Sequence, residues 1–146
     1  MARTVKAVFG VVVMLAAVLV TVGADTRPAG AVTTVVVNVT SDVVDGDPAT
    51  VSLREAIDMA NGDGQATEVV LDVGATYQLT ICGASEDVNA GGDLDHTETA
   101  QLTIFANGST IEQTCVGERV LTHFDSGSKL VVDDATITGG NVTGTE

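Results

Sequence analysis

Between positions 93 and 98 the sequence reads Asp93-Leu94-Asp95-His96-Thr97-Glu98, its densest run of groups able to exchange protons or hold a cation. Paired carboxylates can act as acid and base on a glycosidic bond, and clustered oxygen ligands bind calcium. Period-two alternation places Asp93 and Asp95 on one face of an extended segment and His96 on the other. The preceding Gly91-Gly92 falls short of a glycine-rich nonapeptide calcium repeat, and the run occurs once. The expectation is a solvated connection leading into the next strand, with calcium at Asp93 and Asp95 as the sharper alternative.

A second acidic group is Asp42, Asp45 and Asp47, with Asn61-Gly62-Asp63 further on. Its spacing is not that of an EF-hand loop, and Asp-Gly-Asp-Pro is explained by turn chemistry. His123 lies between Thr122 and Phe124 in a strand-like run and is expected to be partly exposed there. Ser126 and Ser128 lack a nucleophile-elbow pattern and a His at a telling spacing. No catalytic residue is therefore expected, and no cofactor apart from calcium. Asn38, Asn107 and Asn141 each open an N-glycosylation pattern, which matters only on a eukaryotic secretory route.

Cys82 and Cys115 are the two cysteines of the chain, without a C-x-x-C and without a His at metal-ligand spacing. In an oxidising compartment such a pair is expected to form a disulfide, contributing about 3–4 kcal/mol in the chain-entropy model.

The elements that must position these groups are mostly strands. Aromatics make up 3% of the chain and apolar residues 45%, so Val, Leu, Ile and Ala carry the core. β-Branched runs at 34–39, 68–71, 77–81, 102–105, 109–111, 120–124, 130–132 and 136–138 alternate with glycine-containing turns. A weak echo recurs 28 positions apart: Leu102-Thr103-Ile104 and Leu130-Val131-Val132, each followed by a turn and a second short strand. That favours a solenoid over a sandwich or barrel. One segment has another period. Ser52-Leu53-Arg54-Glu55 has the form of a capping box, and Leu53, Ala56, Ile57 and Ala60 form the stripe of a short helix. Asn61-Gly62 is expected to end that helix with a left-handed residue.

Residues 1–31 read as a signal peptide: Arg3 and Lys6, an uncharged apolar run at 7–22, then small-x-small sites ending at Ala24 and Ala31. Cleavage after Ala31 is preferred because Val32 opens a strand. The chain carries a formal charge of −14, and residues 1–31 hold Arg3, Lys6 and Arg27 against Asp25. The exported part is therefore at −16, with Arg54, Arg119 and Lys129 as its cations. Such a surface repels the phosphates of nucleic acid and anionic lipid.

The run Val51-Ser52-Leu53-Arg54-Glu55-Ala56-Ile57, followed by Ala60-Asn61, resembles the CSLREA-type segment of secreted bacterial proteins. Those chains continue into a right-handed parallel β-helix of the pectin-lyase-like kind. Leu102-Thr103-Ile104, Asn107-Gly108-Ser109-Thr110-Ile111 and Ala135-Thr136-Ile137-Thr138-Gly139-Gly140 are similar to successive rungs of its first coils. The motif's leading Cys is Val51 here, so no covalent or metal role falls on that position.

The resemblance and the residue pattern together imply an all-β chain. A signal peptide (1–31) precedes a strand and capping helix (32–66) and the first coils of a short right-handed parallel β-helix (67–146). Ser52, Leu53, Arg54, Glu55, Ile57 and Asn61 would form the cap, with Arg54 and Glu55 at its rim. The expected role is an exported, secreted or cell-surface scaffold or recognition module for a cell-wall or extracellular glycan. Self-association through an open C-terminal coil is a further expectation. The alternatives are a carbohydrate-active lyase or hydrolase, or an inactive piece of a larger β-helix protein.

Overall fold

The computed structural model describes residues 30–83, 86–125 and 127–142. The expected signal peptide lies outside them except for Gly30 and Ala31, as do Ser126 and Thr143. The chain runs β1 (Val32–Val36), α1 (Leu53–Asp63), β2 (Ala66–Val70), β3 (Thr76–Leu79) and β4 (Leu94–His96). It continues β5 (Leu102–Phe105), β6 (Thr110–Gln113), β7 (Leu121–His123), β8 (Leu130–Asp133) and β9 (Thr136–Thr138).

These strands form three parallel sheets, ordered β1-β2-β5-β8, β3-β6-β9 and β4-β7. The chain visits them in turn: β2, β3, β4, then β5, β6, β7, then β8 and β9. Each turn of chain thus lies on the one before, as in a β-solenoid. The echo in the sequence is this register, since Leu102 pairs with Leu130, and Thr110 and Ile111 pair with Thr136 and Ile137.

Parallel stacking sends like residues to like places. Val35, Val69, Ile104 and Val132 follow one another inward across the first sheet. Tyr77 and Ile111 do the same in the second, and Leu94 and Leu121 in the third. Val69, Ile104, Ile111 and Leu94 are fully buried, each contributing about 1.5–3 kcal/mol by leaving water. The core thins toward the last turn of chain, where Ile137 is 48% exposed although it continues the Tyr77–Ile111 ladder.

Helix α1 closes the other end. Leu53, Ala56, Ile57 and Ala60 join the core, as the three- and four-residue spacing requires. The capping box forms: Ser52 Oγ accepts from Glu55 N, and Glu55 Oε2 accepts from Ser52 N at 3.0 Å. The helix does not stop at Asn61-Gly62. It runs to Asp63 and ends on Gly64, whose φ of 63° is left-handed. The difference lies in Asn61, whose side chain is engaged by β4 while its backbone stays helical.

Two further expectations are corrected. Arg54 does not lie at a rim: it is fully buried, and Glu55 is 7% exposed. The run around Asp93 is not a solvated connection, because Leu94–His96 is strand β4, buried along its whole length. Its polar groups are tolerated there because side chains from distant positions meet them.

Candidate functional site at the cap and the β4–β7 layer

Arg54 is the hub beneath the helix. Its Nε donates to Asp42 Oδ1 at 2.8 Å and its Nη2 to Asp42 Oδ2 at 3.2 Å. The remaining N–H groups reach the carbonyls of Gly92 and Asp93, both at 3.0 Å. Asp42 Oδ2 also accepts from Thr80 N and Ile81 N, at 2.8 and 2.9 Å. One ion pair therefore ties the first helical turn to the end of β3 and the start of β4. Glu55 holds the intervening loop, accepting from Asp45 N and Gly46 N. Burial pushes the Glu55 carboxyl up, but the backbone donors of Ser52, Gly46 and Asp45 outweigh it and leave the group below its ordinary value.

Asn89 is the second hub, fully buried with a left-handed φ of 60°. Its Nδ2 donates to Arg54 O and Asp58 Oδ1, and its Oδ1 accepts from Asp95 N. Asn61 clamps the other end of β4, donating to Asp95 O at 2.7 Å and accepting from Thr97 N at 2.9 Å.

The sequence-derived calcium pair is thus built into a layer. Asp93 Oδ2 accepts from Thr122 Oγ1 of β7. Asp95 Oδ2 accepts from Asn89 N, and its Oδ1 is buried without a hydrogen-bond partner. Burial and the neighbouring Asp93 carboxylate push the Asp95 carboxyl up to about 6, against the Asn89 backbone donor. Among the described residues no three His, Cys, Asp or Glu side chains converge as a metal-ligand set. The Asp42, Asp45 and Asp47 group is turned on itself and on Arg54: Asp45 Oδ1 accepts from Asp47 N, and Asp47 Oδ1 from Ala49 N.

Sequence reasoning missed what lies at the far end of β4. Register pairs His96 with His123, and their Nδ1 atoms stand 3.0 Å apart with ring centroids 5.0 Å apart. A hydrogen bond at this distance requires one Nδ1 to donate and the other to accept, which the tautomers of the two rings decide. Ser128, which has no His at a telling spacing in the sequence, has its Oγ 3.3 Å from His123 Nε2. That hydroxyl donates to Glu98 O at 3.1 Å. Ser128 Oγ thus lies within hydrogen-bond reach of both His123 Nε2 and Glu98 O, and the tautomer of His123 sets the direction of the first contact. The parallel register is the signal that brings these groups together, and the spacing of 27 positions alone does not reveal it.

Cys82 and Cys115 form the expected disulfide, with Cα atoms 5.4 Å apart. It joins the segment after β3 to the segment after β6. Gln113 supports it, accepting Cys115 N on Oε1 while Nε2 donates to Arg119 O and Gly92 O. Comparison with protein-family models, with curated proteins and with solved structures gives no match to this chain.

Proposed function

We propose that the chain is an exported, non-catalytic segment of a right-handed parallel β-helix, and that it acts as an extracellular or cell-surface scaffold or recognition module. The reading extends the likeness of its cap to CSLREA-type secreted proteins. The observation that carries it is the stacking of short parallel strands, turn of chain upon turn of chain, beneath the capped helix α1.

Export is supported by the disulfide, which persists in oxidising compartments. Among the described residues no helix is long and apolar enough to cross a membrane. Association through the β7–β8–β9 edge belongs to the same proposal, with Phe124 and Ile137 exposed along it.

A hydrolase reading draws on Asp95, whose raised carboxyl titrates in the range of a general acid. At 1% exposure, however, that side chain offers a glycosidic oxygen no approach.

The test is depletion of purified residues 32–146 from solution by insoluble cell-wall polysaccharide, with release of reducing ends and unsaturated products followed in the same tubes. Saturable depletion without product supports the recognition module. Product release replaces it with the enzyme, and neither effect leaves the proposal without support.

A further inference from the structure

The outer face of the β3-β6-β9 sheet repeats its chemistry from rung to rung. Thr76, Thr110 and Thr136 pair in one ladder, and Gln78, Glu112 and Thr138 pair in the next. Thr76, Gln78, Thr136 and Thr138 are exposed, while their inward neighbours Tyr77 and Leu79 are buried. Parallel strands repeat at about 4.8 Å and outward residues along a strand at about 7 Å. The face is therefore a regular lattice of hydroxyl, amide and carboxylate groups.

At the β3 end the lattice opens into a groove of ≈ 550 Å³ lined by Thr40, Ser41, Asp42, Thr76, Gln78 and Thr80. All six side chains are polar. The Asp42 charge is taken up by Arg54 and by the N–H groups of Thr80 and Ile81. Gln78 Nε2 donates to Glu112 Oε2 at 2.8 Å, which fixes the amide with its oxygen left to accept. The groove walls thus offer neutral donors and acceptors on a rigid scaffold, with no cation among them.

We infer that this groove and the ladder running from it bind a neutral polysaccharide chain, lying across the rungs. The inference rests on the recognition-module reading and narrows it. The rung repeat is close to the length of one pyranose residue in an extended chain, so successive sugars meet successive Thr hydroxyls and Gln or Glu groups. Uronate-containing chains are disfavoured, because the groove has no cation to meet a carboxylate and Glu112 borders it. The rest of the exported part is strongly acidic as well.

Affinity electrophoresis of residues 32–146 in gels containing dextran, xylan, galactomannan or polygalacturonate tests this. Thr76→Arg and Gln78→Ala disturb the groove, and Thr34→Arg on β1 of another sheet serves as the control. Melting curves establish that each variant is folded. The expected result is retardation by a neutral polysaccharide, weakened on the order of tenfold in both groove variants and unchanged in the control. Retardation that both groove variants retain overturns the groove while leaving the recognition module standing. Retardation by polygalacturonate alone overturns the neutral class. No retardation by any polymer counts against the recognition reading itself, and the inference falls with it.

Discussion

Arg54 and Asp42 form an ion pair at 2.8 Å in which both side chains are essentially sealed from water, at 0% and 1% exposure. Neither charge could be buried alone. The remaining polar atoms are met by backbone groups just after β3 and in the segment entering β4, which is what makes a buried pair tolerable.

Removing one partner leaves the other as an uncompensated buried charge. Arg54→Met and Asp42→Ala should each cost about 3–5 kcal/mol. The double variant should cost less than the sum of the two, because no lone charge remains. Urea denaturation of the four proteins in the cycle checks this. Additive losses would mean that the pair contributes nothing beyond its separate contacts.

Leu53 is 3% exposed at the start of the helix that closes the stack. A carboxylate there must either stay buried unpaired or pull the helix off the core. Leu53→Asp should unfold or aggregate the protein, whereas Ser52→Ala should cost about 1 kcal/mol by loss of the cap. Melting temperature and light scattering report both effects, and an unchanged melting temperature for Leu53→Asp would refute the plug role.

The helix and most strands could be read from the sequence because their signals are local. Capping box, apolar stripe and β-branched runs sit within a few residues, and β5 and β9 fall where the Leu102 and Thr136 runs place them. Strand β4 could not be read in this way. Asp95 and His96 look like solvent-facing groups until Asn61, Asn89 and His123 are brought against them from 34, 6 and 27 positions away. Arg54 was legible as part of the cap but its burial was not, since its partner Asp42 sits in a loop whose Asp and Gly content also reads as turn chemistry. The parallel strand register is the missing link in each case, and a two-copy echo carries little of it.

The disulfide gives a simple prediction. Cys82 and Cys115 are separated by 33 positions, a loop whose closure is worth about 4 kcal/mol in the chain-entropy model. Cys82→Ser with Cys115→Ser should lower stability by roughly that amount, measured by urea denaturation under oxidising conditions. Thiol titration of the unfolded, unreduced protein should find no free thiol.

Asp95 makes stability depend on pH in an unusual direction. Its carboxyl is raised to about 6, so between about pH 4 and 6 the native state holds a proton that the unfolded chain releases. Stability therefore falls as pH rises through that window and stays reduced above it. Asp95→Asn removes the ionisation, and should stabilise the protein at pH 7 by up to about 3 kcal/mol while changing little near pH 4. Chemical denaturation at the two pH values distinguishes this from a uniform packing effect, which would shift both equally.

The His96–His123 pair acts in the opposite sense, and the Asp95→Asn background lets it be seen. Burial and the adjacent His123 hold His96 below its ordinary value, against the opposing pull of Glu98 and Asp125. As pH falls below about 6.5 the unfolded chain takes up a proton that the native pair resists. Stability contributed by the pair is thus complete above that value and is lost as pH falls toward the lowered one. The hydrogen bond between the rings adds a reason, since a proton on both Nδ1 atoms would set two donors 3.0 Å apart. Asp95→Asn should therefore show stability rising as pH approaches about 6.5 from below. Replacing His96 by Gln in the same background should flatten that slope, and an unaltered slope would place the titration on another group.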